Sequence, residues 1–321
     1  MAEKNLRQCN GLPLEVRTLA ALLSCKPQVE WKDVLECLEC YSFPSFSGSS
    51  YNTKLLLKLS YDNHLARTKF ILKLSYDNLP AHLKACFAYC SLFPQRYEFE
   101  KEKLVLLWMA EGLLQQQGGN QTMEEVGDRY FNELVSRQFF QLSSGNKSRY
   151  VMHNLLNKLA VSMMKEICLR WKDDHLSISK RTRYLSLVGG VHDNSVLFES
   201  YANCLTTFLT LDYKGCHLRE NELVRLFKMR LLRVLSLSDS YITELPNSIC
   251  KLEHLCYINL SHTTIKKLPE SICALRNLQT IILSNCKFLT MLPEEMWKLL
   301  NLRHLDISGT ALSEMPKNCA R

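Results

Sequence analysis

The residue types that carry chemistry in proteins are present in this sequence, but their spacing does not form a catalytic or metal site. Cys37 and Cys40 have the spacing of half a zinc site, and no second pair follows at the required distance. His82, Cys86 and Cys90 recur at helical spacing and could offer metal ligands, but an apolar helix face explains them better. We therefore expect no metal site and no enzyme.

A phosphate-binding loop is also missing from the sequence. Nucleotide-binding proteins with such a loop carry G-x-x-x-x-G-K-[ST], whose backbone N–H groups cradle the phosphates. The pattern occurs nowhere in the 321 residues. The nearest string, Gly145 to Ser148, lacks both the glycine spacing and the Gly-Lys pair, and it is predicted to be a hairpin turn.

The composition indicates a globular protein and excludes several other classes. Leucine accounts for 58 residues by direct count and glycine for only 11, which rules out collagen and low-complexity disorder. No run of 18 apolar residues and no signal sequence occur, so we expect a cytoplasmic protein without a membrane span, with its 14 cysteines reduced. The net charge of +8 arises from interspersed acids and bases and gives no support for DNA binding.

The leucines of the C-terminal part recur with a fixed period. The spacing L-x-x-L-x-L is followed by a Leu-Pro or similar pair, and the unit recurs after 23, 23 and 24 residues, from Leu232 to Leu255, Leu278 and Leu302. A helix would not tolerate proline at the same phase of each unit, so we predict a leucine-rich repeat solenoid. Weaker starts lie near Tyr184 and Leu205.

The predicted solenoid lacks a polar cap after Met315, so we expect either a longer native array or a truncated product. Solvent-facing strand positions are expected to form a protein-recognition surface, although a merely solvated face explains each of them equally well. These positions are Arg233, Ser236, Ser238, Tyr257, Asn259 and Arg303.

The first 180 residues have mainly helical patterns. Residues 42–54 are predicted to be a loop, and the string LKLSYDN occurs twice, at residues 57–63 and 72–78. Three helices, a hairpin and a further helix with Asn154 as its N-cap form the pattern of a winged helix. The predicted helices begin near Pro13, Pro80, Lys101, Met123 and Asn154.

Four stretches of the sequence resemble plant nucleotide-binding leucine-rich-repeat disease-resistance proteins of the coiled-coil class. Residues 9–14 (CNGLPL) resemble the GLPLA motif of the first ARC subdomain. Residues 72–112 contain LKLSYDNLP, CFAYCSLFP and LWMAEG, which resemble the opening of the winged-helix subdomain. Residues 151–154 (VMHN) resemble the MHD motif, and the Leu-Pro units resemble the family's repeats.

The resemblance implies an ADP/ATP switch in which Pro13 packs beside the adenine and His153 reaches the β-phosphate. The chain departs from the family at Glu15, where alanine is usual, and at Asn154, where aspartate is usual. Because the phosphate-binding half is absent, we expect nucleotide binding by this chain alone to be weak or absent. The alternative is that Pro13 sets a turn and His153 only packs.

These observations predict an α+β multidomain chain. Its parts are a remnant of the first ARC helical subdomain (1–45), a loop and duplicated segment (46–71), a winged-helix subdomain (72–180) and an incomplete α/β leucine-rich-repeat solenoid (181–321). The resemblance implies a fragment of an intracellular immune receptor whose repeats bind a pathogen effector or a guarded host protein. The alternatives are a stand-alone repeat adaptor, a truncated product without function and, least favoured, a DNA-binding winged helix that reads through residues 123–136, which are net acidic.

Overall fold

The architecture is taken from a computed structural model, which describes most of the chain. The described residues are 13–31, 34, 53–115, 121–171, 181–189, 204–211 and 218–316, with side chains from residue 65 onward in the second helix. The predicted loop at 42–54 lies almost entirely outside them. Within these ranges no helix is long and apolar enough to cross a bilayer.

Two long helices of the N-terminal unit lie within the described residues. Helix α1 (Pro13–Ser24) packs against α2 (Thr53–Asp77), and Leu19, Leu22 and Ile71 lie in their shared apolar cluster. The first copy of LKLSYDN lies in α2, and so does the second copy except for its last residue, Asn78. The predicted boundary between residues 71 and 72 therefore falls inside one continuous helix.

The predicted winged helix is confirmed, with a third strand that the sequence patterns did not indicate. Strand β1 (Glu98–Phe99) lies at the edge of a three-stranded antiparallel sheet. It pairs with β3 (Tyr150–Val151), which pairs in turn with β2 (Gln141–Leu142). Thr122 caps α5 through a capping box with Glu125, which fixes where that helix begins. The elements are α3 (Ala81–Tyr89), β1 (Glu98–Phe99), α4 (Lys101–Glu111), α5 (Met123–Ser136), β2 (Gln141–Leu142), β3 (Tyr150–Val151) and α6 (Asn154–Met163).

Helices α4 and α5 pack closely because of a glycine. A Cβ atom on Gly127 would meet Cγ1 of Val105 at 2.3 Å, which is closer than van der Waals contact permits. Trp108 and Phe131 are buried beside this contact, and their ring centroids lie 6.2 Å apart. The aromatic residues of the predicted winged helix therefore form its core, as an apolar pattern predicts.

The predicted solenoid is confirmed, and it begins one strand earlier than predicted. Strand β4 pairs in parallel with β5, so it joins the repeat sheet although it precedes the predicted boundary at residue 181. A short helix, α7 (Glu220–Leu226), lies between β6 and β7. The seven parallel strands are β4 (Cys168–Trp171), β5 (Tyr184–Val188), β6 (Thr207–Leu211), β7 (Val234–Ser236), β8 (Tyr257–Asn259), β9 (Thr280–Ile282) and β10 (His304–Asp306).

Each regular repeat turns at the same place after its strand. Asp239, His262 and Asn285 all have a φ of 59°, and Gly309 has a φ of 68°. This left-handed conformation is tolerated best by glycine and by short polar residues, which explains the residue types found at this phase. The turn directs the chain from the sheet toward the opposite side of the coil.

The Leu-Pro pairs begin the return segments of the repeats. Pro246, Pro269 and Pro293 each stand immediately before a short 3₁₀ helix. Proline suits this position because its fixed φ is compatible with the start of a helix, where its missing N–H is not needed. The leucines and isoleucines between the sheet and these segments form one continuous buried core.

Candidate functional site

The concave face of the repeat sheet, which was predicted to be a solvent-facing recognition surface, is largely covered by the winged helix. Tyr257 is only 2% exposed and Ser236 only 4% exposed, so the prediction that they face solvent is wrong. Tyr257 packs in the same apolar cluster as the winged-helix core. We call this contact the docking interface; its strand side also includes Tyr184, Leu209, Leu211, Val234, Cys256 and Ile282.

Arg233, a third predicted recognition residue, is half-buried and caps a helix of the winged helix. Its Nε donates a hydrogen bond of 2.9 Å to the carbonyl oxygen of Ala110, in the last turn of α4. A cation at a helix C-terminus is favoured by the aligned peptide dipoles. Gly112 ends α4 with a φ of 77°, and a Cβ there would lie 3.2 Å from Nη2 of Arg233. The glycine thus leaves room for the guanidinium.

A partly buried carboxylate lies beside this cap. Glu111 accepts hydrogen bonds from the hydroxyls of Thr206, at 2.6 Å, and Thr207, at 2.8 Å, at the start of β6. The Thr207 hydroxyl also lies 3.3 Å from the Tyr89 hydroxyl of α3. Burial raises the pKa of Glu111, while the two hydroxyls and the charge of Arg233 oppose that rise. Sequence reasoning missed Glu111, because nothing in its local pattern indicates a partner 95 residues away.

A second polar contact joins the N-terminus of α5 to the end of the described sheet. Oε1 of Glu124 lies 2.9 Å from Nε2 of His304, and its Oε2 lies 3.9 Å from Nη1 of Arg303. Partial burial opposes ionisation of Glu124, but the hydrogen bond from His304 and the charge of Arg303 lower its pKa overall. Arg303 remains exposed, as predicted for a surface residue.

The two remaining predicted recognition residues, Ser238 and Asn259, line a polar cleft of about 240 Å³ between the two domains. On the winged-helix side, Glu100 forms ion pairs with Lys103, at 2.9 Å, and with Arg149, at 2.7 Å. The structure therefore brings four of the six predicted residues into the docking interface or its cleft, buries Ser236 beside them in β7, and leaves Arg303 at the edge.

His153 is the N-cap of α6, and not Asn154 as predicted. Its Nδ1 accepts a hydrogen bond of 3.2 Å from the backbone N–H of Leu155. Burial lowers the pKa of His153 below its ordinary value of 6.5, so the ring is neutral at neutral pH. Because Nδ1 accepts, the ring proton is assigned to Nε2, which can donate to an anion.

These features bear on whether the chain fits an adenine nucleotide. A neutral His153 with Nε2–H at a helix N-terminus fits one phosphate contact. Pro13 is exposed at the first position of α1. The phosphate-cradling loop that holds the nucleotide in such proteins is absent from the sequence.

The cysteine and histidine trio considered as a metal site packs as apolar core. Cys86 and Cys90 are buried, and burial raises the pKa of both thiols. His82 packs against the ring of Tyr130, with centroids 4.4 Å apart. Within the described ranges, no three histidine, cysteine or carboxylate side chains are grouped so that they could hold a metal ion.

Comparison with protein families supports the two domains separately. Residues 92–160 match the winged-helix domain of disease resistance proteins, and residues 194–307 match a leucine-rich repeat region. A solved leucine-rich repeat protein of Leptospira interrogans aligns with 43% of this chain and 34% of its own, at 26% identity and a TM-score of 0.38.

Curated relatives come from plants. The chain is 40% identical to the disease resistance RPP13-like protein 1 of Arabidopsis thaliana, over 78% of this chain and 23% of that protein. It is 41% identical to another disease resistance protein of Arabidopsis thaliana, over 88% of this chain and 19% of that protein. It is 36% identical to disease resistance protein RGA2 of Solanum bulbocastanum, over 88% of this chain and 25% of that protein.

The chain spans about a quarter or less of the length of these relatives. The matched region contains both the winged helix and the repeats, in the order in which the structure joins them. The chain therefore belongs to the plant disease-resistance proteins, of which it carries the winged-helix domain and a leucine-rich repeat region.

Proposed function

We propose that this chain acts in plant defence as the part of a cytoplasmic immune receptor that links protein recognition by the repeats to the state of a nucleotide switch. The observation that carries the proposal is the docking interface, in which Tyr257 of the concave face packs in the apolar cluster of the winged helix. The proposed ligand is a pathogen effector or a guarded host protein, and no reaction is assigned to the chain.

The docking interface supplies a physical reason for coupling. A protein ligand that used the concave face at β7 and β8 would compete with the winged helix for the same surface. Two events that exclude each other are thermodynamically linked, so ligand binding would favour the undocked winged helix. A stand-alone adaptor that binds through these strands would need them open, which disfavours that alternative.

The proposed nucleotide contacts contribute less to this proposal than the docking interface does. His153 would donate from Nε2 to a phosphate, and Pro13 would pack against the base. When bound, the nucleotide supplies charge and shape that stabilise one arrangement of the domains. Because the chain lacks the phosphate-cradling loop, its own affinity for ADP is expected to be weak.

Two experiments test the proposal. Titration calorimetry of the purified chain with ADP should give weak binding or none, and stoichiometric tight binding would refute the incomplete switch. In leaf tissue, the wild-type chain and Arg233→Glu, which breaks the cap on α4, should differ in the defence response that they elicit or suppress. Identical responses, at equal protein levels, from wild type, Arg233→Glu and an exposed-site control such as Lys251→Glu would refute the proposed coupling.

A further inference from the structure

The turns that lead into strands β7 to β10 form an edge of the solenoid that is rich in cations. We call this edge, made of residues 227–233, 252–256, 275–279 and 299–303, the basic edge. Because successive repeats of a solenoid stack side by side, their turns bring together charges that are far apart in sequence. By direct count the edge has one carboxylate, Glu253, and five lysines and arginines, which are Lys228, Arg230, Arg233, Arg276 and Arg303.

The opposite edge of the solenoid has no such excess. The turns that follow strands β7 to β10, residues 237–245, 260–268, 283–292 and 307–315, carry three lysines and three carboxylates by direct count. Lys267 and Glu244 form an ion pair of 3.8 Å among them. The fold therefore sorts acids and bases that are interspersed along the sequence, so that one edge is cationic and the other is neutral.

Only part of this positive charge is used within the chain. Arg233 caps α4, and Nη1 of Arg303 lies 3.9 Å from a carboxylate oxygen of α5. Lys228, Arg230 and Arg276 are exposed, and their side chains form no ion pair with any residue that the structure describes. The acids of the winged helix thus leave these three cations available.

A pocket at the start of the basic edge is also cationic. Its volume of about 390 Å³ lies within the range of about 300–1,000 Å³ that is typical of ligand pockets. The nearby carboxylate of Glu111 is held by two threonine hydroxyls, and its charge interacts with both arginines of the pocket. One carboxylate against two guanidinium groups leaves positive charge for an acidic ligand. The described lining contains no carboxylate and consists of Arg183, Cys204, Thr206, Leu231, Arg233 and His254.

We propose that the basic edge binds an acidic segment of a partner protein, with one carboxylate in the pocket beside Arg183 and others on the exposed cations of the turns. Charge complementarity of this kind steers and selects protein partners. Leu231 is 45% exposed among these cations and can cover an apolar side chain of the segment. Nucleic acid offers no such side chain, and a flat bilayer cannot enter the pocket.

This inference does not rest on the function proposed above. The turns and the described lining of the pocket belong to the repeats alone. The basic edge can therefore bind a partner while the docking interface remains closed.

The test titrates a fluorescein-labelled peptide of four Glu-Glu-Leu units with the full chain and follows fluorescence anisotropy. We expect saturable binding that weakens as the salt concentration is raised from about 0.05 to 0.2 M, because salt screens exposed charges. Arg230→Glu and Arg276→Glu should each weaken binding about fivefold or more, since each replaces an attraction with a repulsion.

Lys287→Glu is the matched control, because it makes the same change of charge at an exposed site on the opposite edge. It should bind the peptide within about twofold of wild type, since charges farther away than about 10 Å are largely screened. Unchanged urea midpoints in both domains should show that all three variants are folded and that the docking interface is intact.

The proposal is overturned if the peptide does not bind the wild-type chain. It is also overturned if the three variants weaken binding equally, because net charge alone would then explain it. Tighter binding of a short DNA duplex or of phosphatidylserine vesicles than of the peptide, lost in Arg230→Glu and Arg276→Glu, would overturn it in favour of those ligands.

Discussion

Replacement of Tyr257 by alanine distinguishes a buried docking residue from a solvent-facing recognition residue. A buried tyrosine removes about 150–250 Å² from water, which at about 25 cal/mol per Å² corresponds to roughly 4–6 kcal/mol as an upper bound. Because alanine retains part of that burial, we expect Tyr257→Ala to lower the free energy of unfolding by about 3–5 kcal/mol. A solvent-facing residue at this position would cost only about 0.5 kcal/mol or less.

Denaturation in urea, followed by tryptophan fluorescence, measures this loss in both domains. Trp108 is buried in the winged helix and Trp171 in the repeat core, so each reports on its own domain once the other tryptophans are replaced by phenylalanine. Tyr257 belongs to a strand of the repeats but packs in the winged-helix cluster. Tyr257→Ala should therefore lower the urea midpoint of unfolding of each domain and make the two midpoints differ.

Two companion variants make the result interpretable. Tyr257→Phe keeps the ring and removes only the hydroxyl, so its cost should be about 0.5–1.5 kcal/mol. Arg303→Ala, at the exposed position just before β10, should change stability by less than about 0.5 kcal/mol. If Tyr257→Ala behaves like Arg303→Ala, the concave face is open in solution and the docking interface does not hold.

Three further predictions concern single contacts. His153→Ala should cost about 1 kcal/mol of stability through loss of the helix cap, and His153→Asn should restore most of it, as judged by urea midpoints. Gly127→Ala should cost about 1–3 kcal/mol because its Cβ would overlap Val105, and a neutral effect would mean that α4 and α5 are farther apart. The pKa of Glu111 is raised above its ordinary value of 4.5 on folding, so the folded chain holds this proton more tightly than the unfolded chain. The wild type should therefore lose stability relative to Glu111→Gln as the pH rises from 4.5 through the folded pKa, and parallel stability–pH curves would contradict this.

The repeats could be predicted in detail because their pattern is periodic. The starts near Tyr184, Leu205, Leu232 and Leu255 all lead into strands. Strand β4 was missed, since Cys168–Trp171 lacks the L-x-x-L-x-L phase and is recognised only by its pairing with β5. Local periodicity thus indicates a strand within an array but not a strand that begins one.

The site was harder to predict because it depends on contacts that are distant in sequence. Alternation along β8 correctly places Tyr257 on the concave face, but the pattern cannot indicate that another domain covers that face. The N-cap of α6 was assigned to Asn154 because asparagine is a common cap, whereas the chain uses the preceding histidine. The resemblance to the MHD motif identified His153 as a candidate functional residue, but it did not indicate that His153 caps α6.

The left-handed turns have a consequence for where a single repeat of this array can vary in length. From the first leucine of a unit to its left-handed residue the distance is always 7 residues, as in Leu232 to Asp239 and Leu302 to Gly309, and from the return proline to the next leucine it is always 9. The extra residue of the third unit falls between Asn285 and Pro293, which are 8 apart where other units have 7. Insertions at that point leave the pairing of β9 with β10 intact. Variation can therefore accumulate on the flank of the coil without shifting any strand out of register.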